Sequence, residues 1–269
     1  MRARNVKWMW TCSILLICLS MALIPDSANA LPFAAGTSTA EIKWNTLDIV
    51  EDGLEIIYHP DTYVSRSKAK VWSRNPSAYI RDRERVSSWS DTQANRDIPG
   101  ATAAAYTSDA ELYESVSATV DGADSQRWAQ ARADRWVYFE VKGSGSITLT
   151  ADYTMYQQID LDTENDWIYA DSEVWLELYN KNTDETLWDW RWIERELWGA
   201  ADETNEETGT LEISLDYSDG DYGYMWMGVY NEVWAYNGAP SPVPEPATMI
   251  LLGSGLVCLA GFRRKFRSN

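Results

Sequence analysis

The residues best equipped for chemistry in this sequence are its carboxylates and its indoles. Asp160, Asp162, Glu164 and Asp166 set oxygen ligands at alternate positions of one short segment, which suits a hard cation such as calcium. The segment lacks the glycine and the distant glutamate of the helix–loop–helix calcium motif. Asp216, Asp219 and Asp221 flank a second turn at Gly220. Two carboxylates about 5–10 Å apart across a cleft could hydrolyse a glycosidic bond. Glu173 and Glu177, four residues apart on one strand face, would stand about 13 Å apart at strand rise, too far for a retaining pair. Trp188, Trp190 and Trp192 share one face of one strand, with Asp189 and Arg191 on the other. Exposed, three indoles about 6.6 Å apart make a platform on which sugar rings can stack. Turned inward they are core, the ordinary destination of such residues.

Other chemistries are poorly provided for. His59 is the one histidine, and no Gly-x-Ser-x-Gly marks a nucleophile for it to activate. Cys12, Cys18 and Cys258 all lie near the ends, so residues 31–243 offer no thiol for zinc or a disulfide. The 269 residues carry 23 Lys+Arg against 41 Asp+Glu, a formal charge of −18. Without the ends, which hold seven of those bases and two of those acids, the body stands at 16 − 39 = −23. Such a charge argues against nucleic acid as a partner, because phosphates are bound by Lys and Arg.

The elements that must position these residues read as strands. From Trp128 to Val141, Ala129, Ala131, Ala133, Arg135, Val137, Phe139 and Val141 share one face. A period of two over that length means strand. Gly143-Ser144-Gly145 predicts a hairpin turn, after which Ile147, Leu149, Ala151, Tyr153 and Met155 resume the alternation. The same pattern recurs around Val174–Leu178, Leu187–Ile193, Leu211–Leu215 and Tyr224–Tyr236. Between His59 and Thr107 the polar chain, with Arg66, Lys68, Lys70, Arg74, Arg81, Arg83 and Arg85, reads as a long surface excursion. Residues 101–106 return to the sheet. The expected fold is all-β, an antiparallel, jelly-roll-like β-sandwich over residues 31–240. No rows of regularly spaced threonine of the kind a flat ice-binding face uses are apparent.

The two ends read as addresses. Arg2, Arg4 and Lys7 precede an apolar stretch, and Ala28-Asn29-Ala30 supplies small residues at both recognition positions of a signal peptidase, predicting a signal helix in residues 1–30 cleaved after Ala30. At the other end Pro244-Glu245-Pro246 precedes the uncharged run 247–262, and Arg263, Arg264 and Lys265 open the basic tail 263–269. As a helix the run would be about 24 Å long, a single membrane span slightly short of a typical hydrocarbon core. Basic residues beyond it would remain cytoplasmic, leaving the body outside.

Residues 243–269 resemble the PEP-CTERM sorting segment of Gram-negative bacteria, with all three of its parts in order. The same segment has also been named after ice-binding proteins that carry it, and a shared sorting tail says nothing about ice. The resemblance implies exosortase as a partner during export, a transient stay in the inner membrane, and delivery to the cell surface or extracellular matrix. It also implies removal of the chain beyond about Pro246. For the body, the expectation is a non-catalytic surface or matrix protein binding extracellular polysaccharide through exposed Trp and Tyr, with no cofactor unless calcium. The alternative is a secreted glycoside-active hydrolase using a carboxylate pair.

Overall fold

Strands follow one another along the chain wherever side chains alternate between apolar and polar. In the computed structural model, residues 33–74, 77–121 and 125–238 are described. The strands are β1 (Phe33–Lys43), β2 (Asp48–Tyr58), β3 (Val64–Ser73), β4 (Ala78–Val86), β5 (Thr92–Ile98) and β6 (Ala101–Thr107). They continue as β7 (Glu111–Asp121), β8 (Ser125–Leu161), β9 (Asp166–Asn180), β10 (Glu185–Trp198), β11 (Ala201–Tyr217) and β12 (Tyr222–Asn237). All pairings among them are antiparallel. Among the described residues no helix is long and apolar enough to cross a membrane. The expected signal helix with Ala28 and Ala30, the span 247–262, and Pro244, Glu245, Pro246, Arg263, Arg264 and Lys265 lie outside the described residues.

The organising element is β8, whose 37 residues would reach about 120 Å if straight. Along one side of it run β1, β2 and β3 in succession, and along the other β11 and then β12. This ribbon folds across itself near Gly143, making two layers. One layer has the order β4-β3-β8-β12-β9-β10, using the first half of β8. The other has the order β5-β6-β7-β1-β8-β11, using its second half.

Gly143-Ser144-Gly145 is therefore not a hairpin turn. The chain passes through it and changes layers while still paired to β2, whose own register shifts between Asp52 and Leu54. Gly143 has φ of 87°, and a Cβ on Gly145 would come 1.8 Å from the Asp52 carbonyl oxygen, so larger residues are shut out of both. On the far side the β11–β12 turn braces the fold line. The Gly220 N–H donates to the Val141 carbonyl at 2.8 Å, and the Gly143 N–H to Asp219 Oδ1 at 2.7 Å. Asp221 Oδ2 accepts from the Ser218 N–H and from Asn180 Nδ2, both at 2.8 Å. These aspartates hold a turn.

The surface excursion expected between His59 and Thr107 is likewise corrected, since β3 to β6 all lie in the sheets. The hydropathy pattern missed β4 because that edge strand has polar residues on both faces, and its period of two is written in charge: Arg81, Asp82, Arg83, Glu84, Arg85.

Between the layers lie Val137, Phe139, Val174, Leu176 and Val229 from the first, and Ile42, Val116, Leu149, Met155 and Leu211 from the second, all essentially without exposure. A polar thread crosses this core. Gln157 Nε2 donates to the Ile193 carbonyl (2.8 Å) and to Ser172 Oγ (3.2 Å), and Ser172 meets Ser38. Ser38 Oγ donates to Asn231 Oδ1 at 2.6 Å, and Asn231 Nδ2 faces Glu114 Oε2 at 3.5 Å.

Burial pushes the Glu114 carboxyl well above the usual carboxylate range, offset only in part by the Arg132 charge and the Ala133 N–H. A carboxyl whose pKa rises on folding contributes stability that is whole below its unfolded pKa of about 4.3 and is lost as pH climbs toward the folded value. The melting temperature is therefore expected to fall from about pH 4.5 upward. Glu114→Gln is expected to flatten that slope and to be more stable than wild type at about pH 8 by about 1–3 kcal/mol. Thermal unfolding across that range checks this; parallel slopes would contradict it.

Candidate functional site

The two outer faces of the sandwich differ sharply in composition. The outer face of the β5–β11 layer carries short hydroxyl residues such as Thr37, Thr39, Ser117, Thr102 and Thr154. The outer face of the β4–β10 layer carries indoles. Of the thirteen tryptophans left after Trp8 and Trp10, all but Trp44 and Trp89 stand there. They are Trp72 on β3, Trp128 and Trp136 on β8, Trp226 and Trp234 on β12, Trp167 and Trp175 on β9, and Trp188, Trp190, Trp192 and Trp198 on β10. Ordinary strand propensity would spread them over both faces, so the asymmetry belongs to this surface.

Trp188, Trp190 and Trp192 are exposed by 69, 40 and 54%, so the inward destination does not apply to them. Register explains their direction. They pair with Glu177, Trp175 and Glu173 of β9, whose intervening Val174 and Leu176 fill the core. Their rings form a ladder, with centroids 6.5 Å apart from Trp188 to Trp190 and 4.9 Å from Trp190 to Trp192.

Carboxylates line the inner side of this ladder. One cross-strand row is Glu194 on β10, Asp171 on β9 and Glu232 on β12. Burial, then the neighbouring Glu173, Glu194 and Glu232, push Asp171 up to about 8, and burial raises the Glu173 carboxyl beside it. Trp128 Nε1 donates to Glu232 Oε1 at 2.6 Å, and Trp234 and Tyr230 donate to the same carboxylate. Tyr224 donates to Glu177. The pairing of Asp171 with Glu173, two apart on a strand, was not anticipated from sequence. Glu232, the register partner of Asp171, lies 61 positions further on, and only the β9–β12 register joins them.

The centre of the face is built around Asp134, fully buried although it faces outward. It accepts from Arg66 Nε (2.9 Å) and Nη2 (2.6 Å) and from Arg132 Nε (3.0 Å). The Arg132 guanidinium lies 5.0 Å from the Trp175 ring centroid and 5.2 Å from that of Trp226, a cation–π arrangement. Trp175 has room because its neighbour in register is Gly228. A Cβ there would come 2.3 Å from the indole. Gly228→Ala is expected to displace Trp175 and cost about 1–3 kcal/mol, read as a lower melting temperature with an altered near-ultraviolet tryptophan spectrum. An unchanged spectrum would contradict the packing.

The expected calcium ligands do not converge. Asp162 and Glu164 are exposed, whereas Asp166 is buried and accepts from the Thr163 N–H at 2.8 Å, which closes its own turn. Among the described residues no three His, Cys, Asp or Glu side chains group as a metal requires. His59 packs against Tyr222 at 5.2 Å between centroids.

No curated protein sequence matches the chain. Among solved structures, the carbohydrate-binding module TmCBM61 in complex with beta-1,4-galactotriose is 11% identical, covers 38% of this chain and 70% of its own, and has a TM-score of 0.13. The 7S globulin of Momordica charantia is 8% identical over 78% of this chain and 70% of its own, with a TM-score of 0.11. The outer membrane protease OmpT from Escherichia coli is 8% identical over 80% and 97%, with a TM-score of 0.13. Scores this low carry no argument about fold or function. The family comparison speaks to one segment: residues 242–265 match the model of the PEP-CTERM protein-sorting motif. The chain thus carries, in its C-terminal region, the motif by which exosortase-sorted proteins are exported and processed.

Proposed function

We propose that the mature protein is a non-catalytic component of the cell surface or extracellular matrix that holds polysaccharide on its tryptophan face. The observation that carries this reading is the exposed Trp188–Trp190–Trp192 ladder, at a spacing suited to successive flat sugar faces. The sorting motif supports the location. The non-catalytic part is supported by how the acids beside the ladder are engaged. Glu177 and Glu232 are held by phenol and indole donors. We also read the sandwich as jelly-roll-like, because a long antiparallel ribbon folds across itself.

A glycan array probed with the mature protein, followed by a reducing-end assay on every glycan retained, tests the function. Retention without new reducing ends is expected; release of product would replace this reading with the hydrolase. Intact-mass measurement on protein from its native host tests the route. Residues 263–269 are expected to be missing, and their presence would refute processing near Pro246.

A further inference from the structure

The opposite edge of the same outer face is a concentrated positive surface on a body of charge −23. Cross-strand register sets Arg66 against Arg85, Lys68 against Arg83 and Lys70 against Arg81 between β3 and β4, and Lys68 against Arg132 between β3 and β8. Like charges directly opposite one another destabilise a strand pair, and opposite charges would support it. Asp134 engages Arg66 and Arg132. Among the described residues, no carboxylate lies within ion-pair distance of Lys68, Lys70, Arg81, Arg83 or Arg85.

The acids that could have neutralised these cations are present in β4 but face the other way. Glu84 Oε2 accepts from the Gln93 N–H at 2.6 Å, and Asp82 pairs with Arg96 at 3.4 Å, both closing the sandwich edge toward β5. The strand thus sorts its charges by face and leaves the outward one wholly cationic. Burial and the neighbouring Lys70, Arg66 and Arg132 depress the Lys68 ammonium to about 8, which agrees with cations crowded without counter-charge. Flat rings stand among them: Tyr79, 55% exposed, stacks parallel to Trp128 with centroids 6.5 Å apart.

We propose that the outer face of β3 and β4 is a second binding surface, for an anionic polysaccharide whose acidic groups meet the Arg/Lys rows while its rings lie on Tyr79 and Trp128. The body's negative charge does not forbid this. At physiological ionic strength charges more than about 8 Å away are largely screened, so the local rows dominate. The choice of a polysaccharide as carrier of the anions rests on the exported, glycan-holding reading above. The surface itself lies five strand spacings, about 24 Å, from the Trp188 ladder.

The test is affinity electrophoresis of the mature protein, purified from cells that process it, in gels containing dextran sulfate, polygalacturonate or uncharged dextran. At least one anionic polymer is expected to retard it about tenfold more strongly than dextran, with the effect fading as salt rises from about 0.05 to 0.5 M. The better of the two identifies the anionic group. Arg81→Gln/Arg83→Gln/Arg85→Gln, at three exposed positions, is expected to lose that retardation. Lys43→Gln/Lys142→Gln/Lys181→Gln removes the same charge elsewhere and is expected to keep it, as is a variant lacking the three ladder tryptophans.

Equal retardation by dextran, equal loss in both charge variants, or salt-sensitive self-association without polymer binding would overturn the proposal. Loss on removing the tryptophans but not the arginines would also overturn it, while leaving the ladder reading intact. Retardation that depends on the arginines alone, with no glycan bound at the ladder, would leave this surface standing without that reading.

Discussion

Replacing Trp188, Trp190 and Trp192 together with alanine is expected to abolish retention of uncharged glycan while leaving the fold in place. Each indole offers a flat face to a sugar ring, and aromatic stacking of this kind contributes about 1 kcal/mol beyond area burial, so the three together account for about 3 kcal/mol, or two orders of magnitude in affinity. The fold does not depend on them to that degree. Trp188 and Trp192 are more than half exposed and occupy an edge strand, and the core under β9 is filled by Val174, Leu176 and Leu178. Surface substitutions of this sort usually shift stability by less than about 0.5 kcal/mol each. Retention in affinity gels and thermal unfolding, measured on the same samples, separate the two effects. A variant that melts normally and still retains uncharged glycan would remove the ladder from the account.

The second large effect is expected at Asp134. Its carboxylate is the counter-charge for both Arg66 and Arg132, and it has no exposure of its own. Asp134→Ala leaves two guanidinium groups without their acceptor in the middle of the face. Breaking a buried pair costs about 3–5 kcal/mol; since the arginines keep 23 and 30% of their side-chain exposure, about 2–4 kcal/mol is the reasonable expectation. For a domain of this size that is a fall of about 5–12 °C in melting temperature. Arg132 is also the cation held between Trp175 and Trp226, so its release should change near-ultraviolet circular dichroism in the native state. Asp134→Asn, which keeps an acceptor oxygen but not the charge, is expected to fall between. A normal melting temperature for the alanine variant would show that Asp134 does not hold the face together.

Local alternation carried most of the fold. The inward set Ala129 to Val141, with Arg135 among it, and the inward set Ile147 to Met155 could be read from sequence because burial imposes a period of two. Three features could not be read that way. Gly143-Ser144-Gly145 signals a turn by composition, but whether the chain reverses there depends on β2 and on the Ser218–Asp221 turn, both distant in sequence. Strand β4 was hidden because its alternation is one of charge sign rather than hydropathy. The direction of the Trp188 ladder was open, since a strand with indoles on one side and Asp189 and Arg191 on the other is consistent with either orientation. The register to β9 decides it, and the charged side then falls at the margin of the sandwich, where Asp189 Oδ2 accepts from the Glu212 N–H of β11 at 3.0 Å.

The most direct measurement is hydroxyl-radical footprinting of the mature protein, with and without a retained polysaccharide, read by mass spectrometry at each tryptophan. Trp188, Trp190 and Trp192 are expected to oxidise readily in the free protein and to be protected together when the glycan is bound, while Trp44 and Trp89, off this face, are unchanged. A bound glycan that leaves those three oxidising at their free rate would contradict the claim that this protein holds polysaccharide on its tryptophan face.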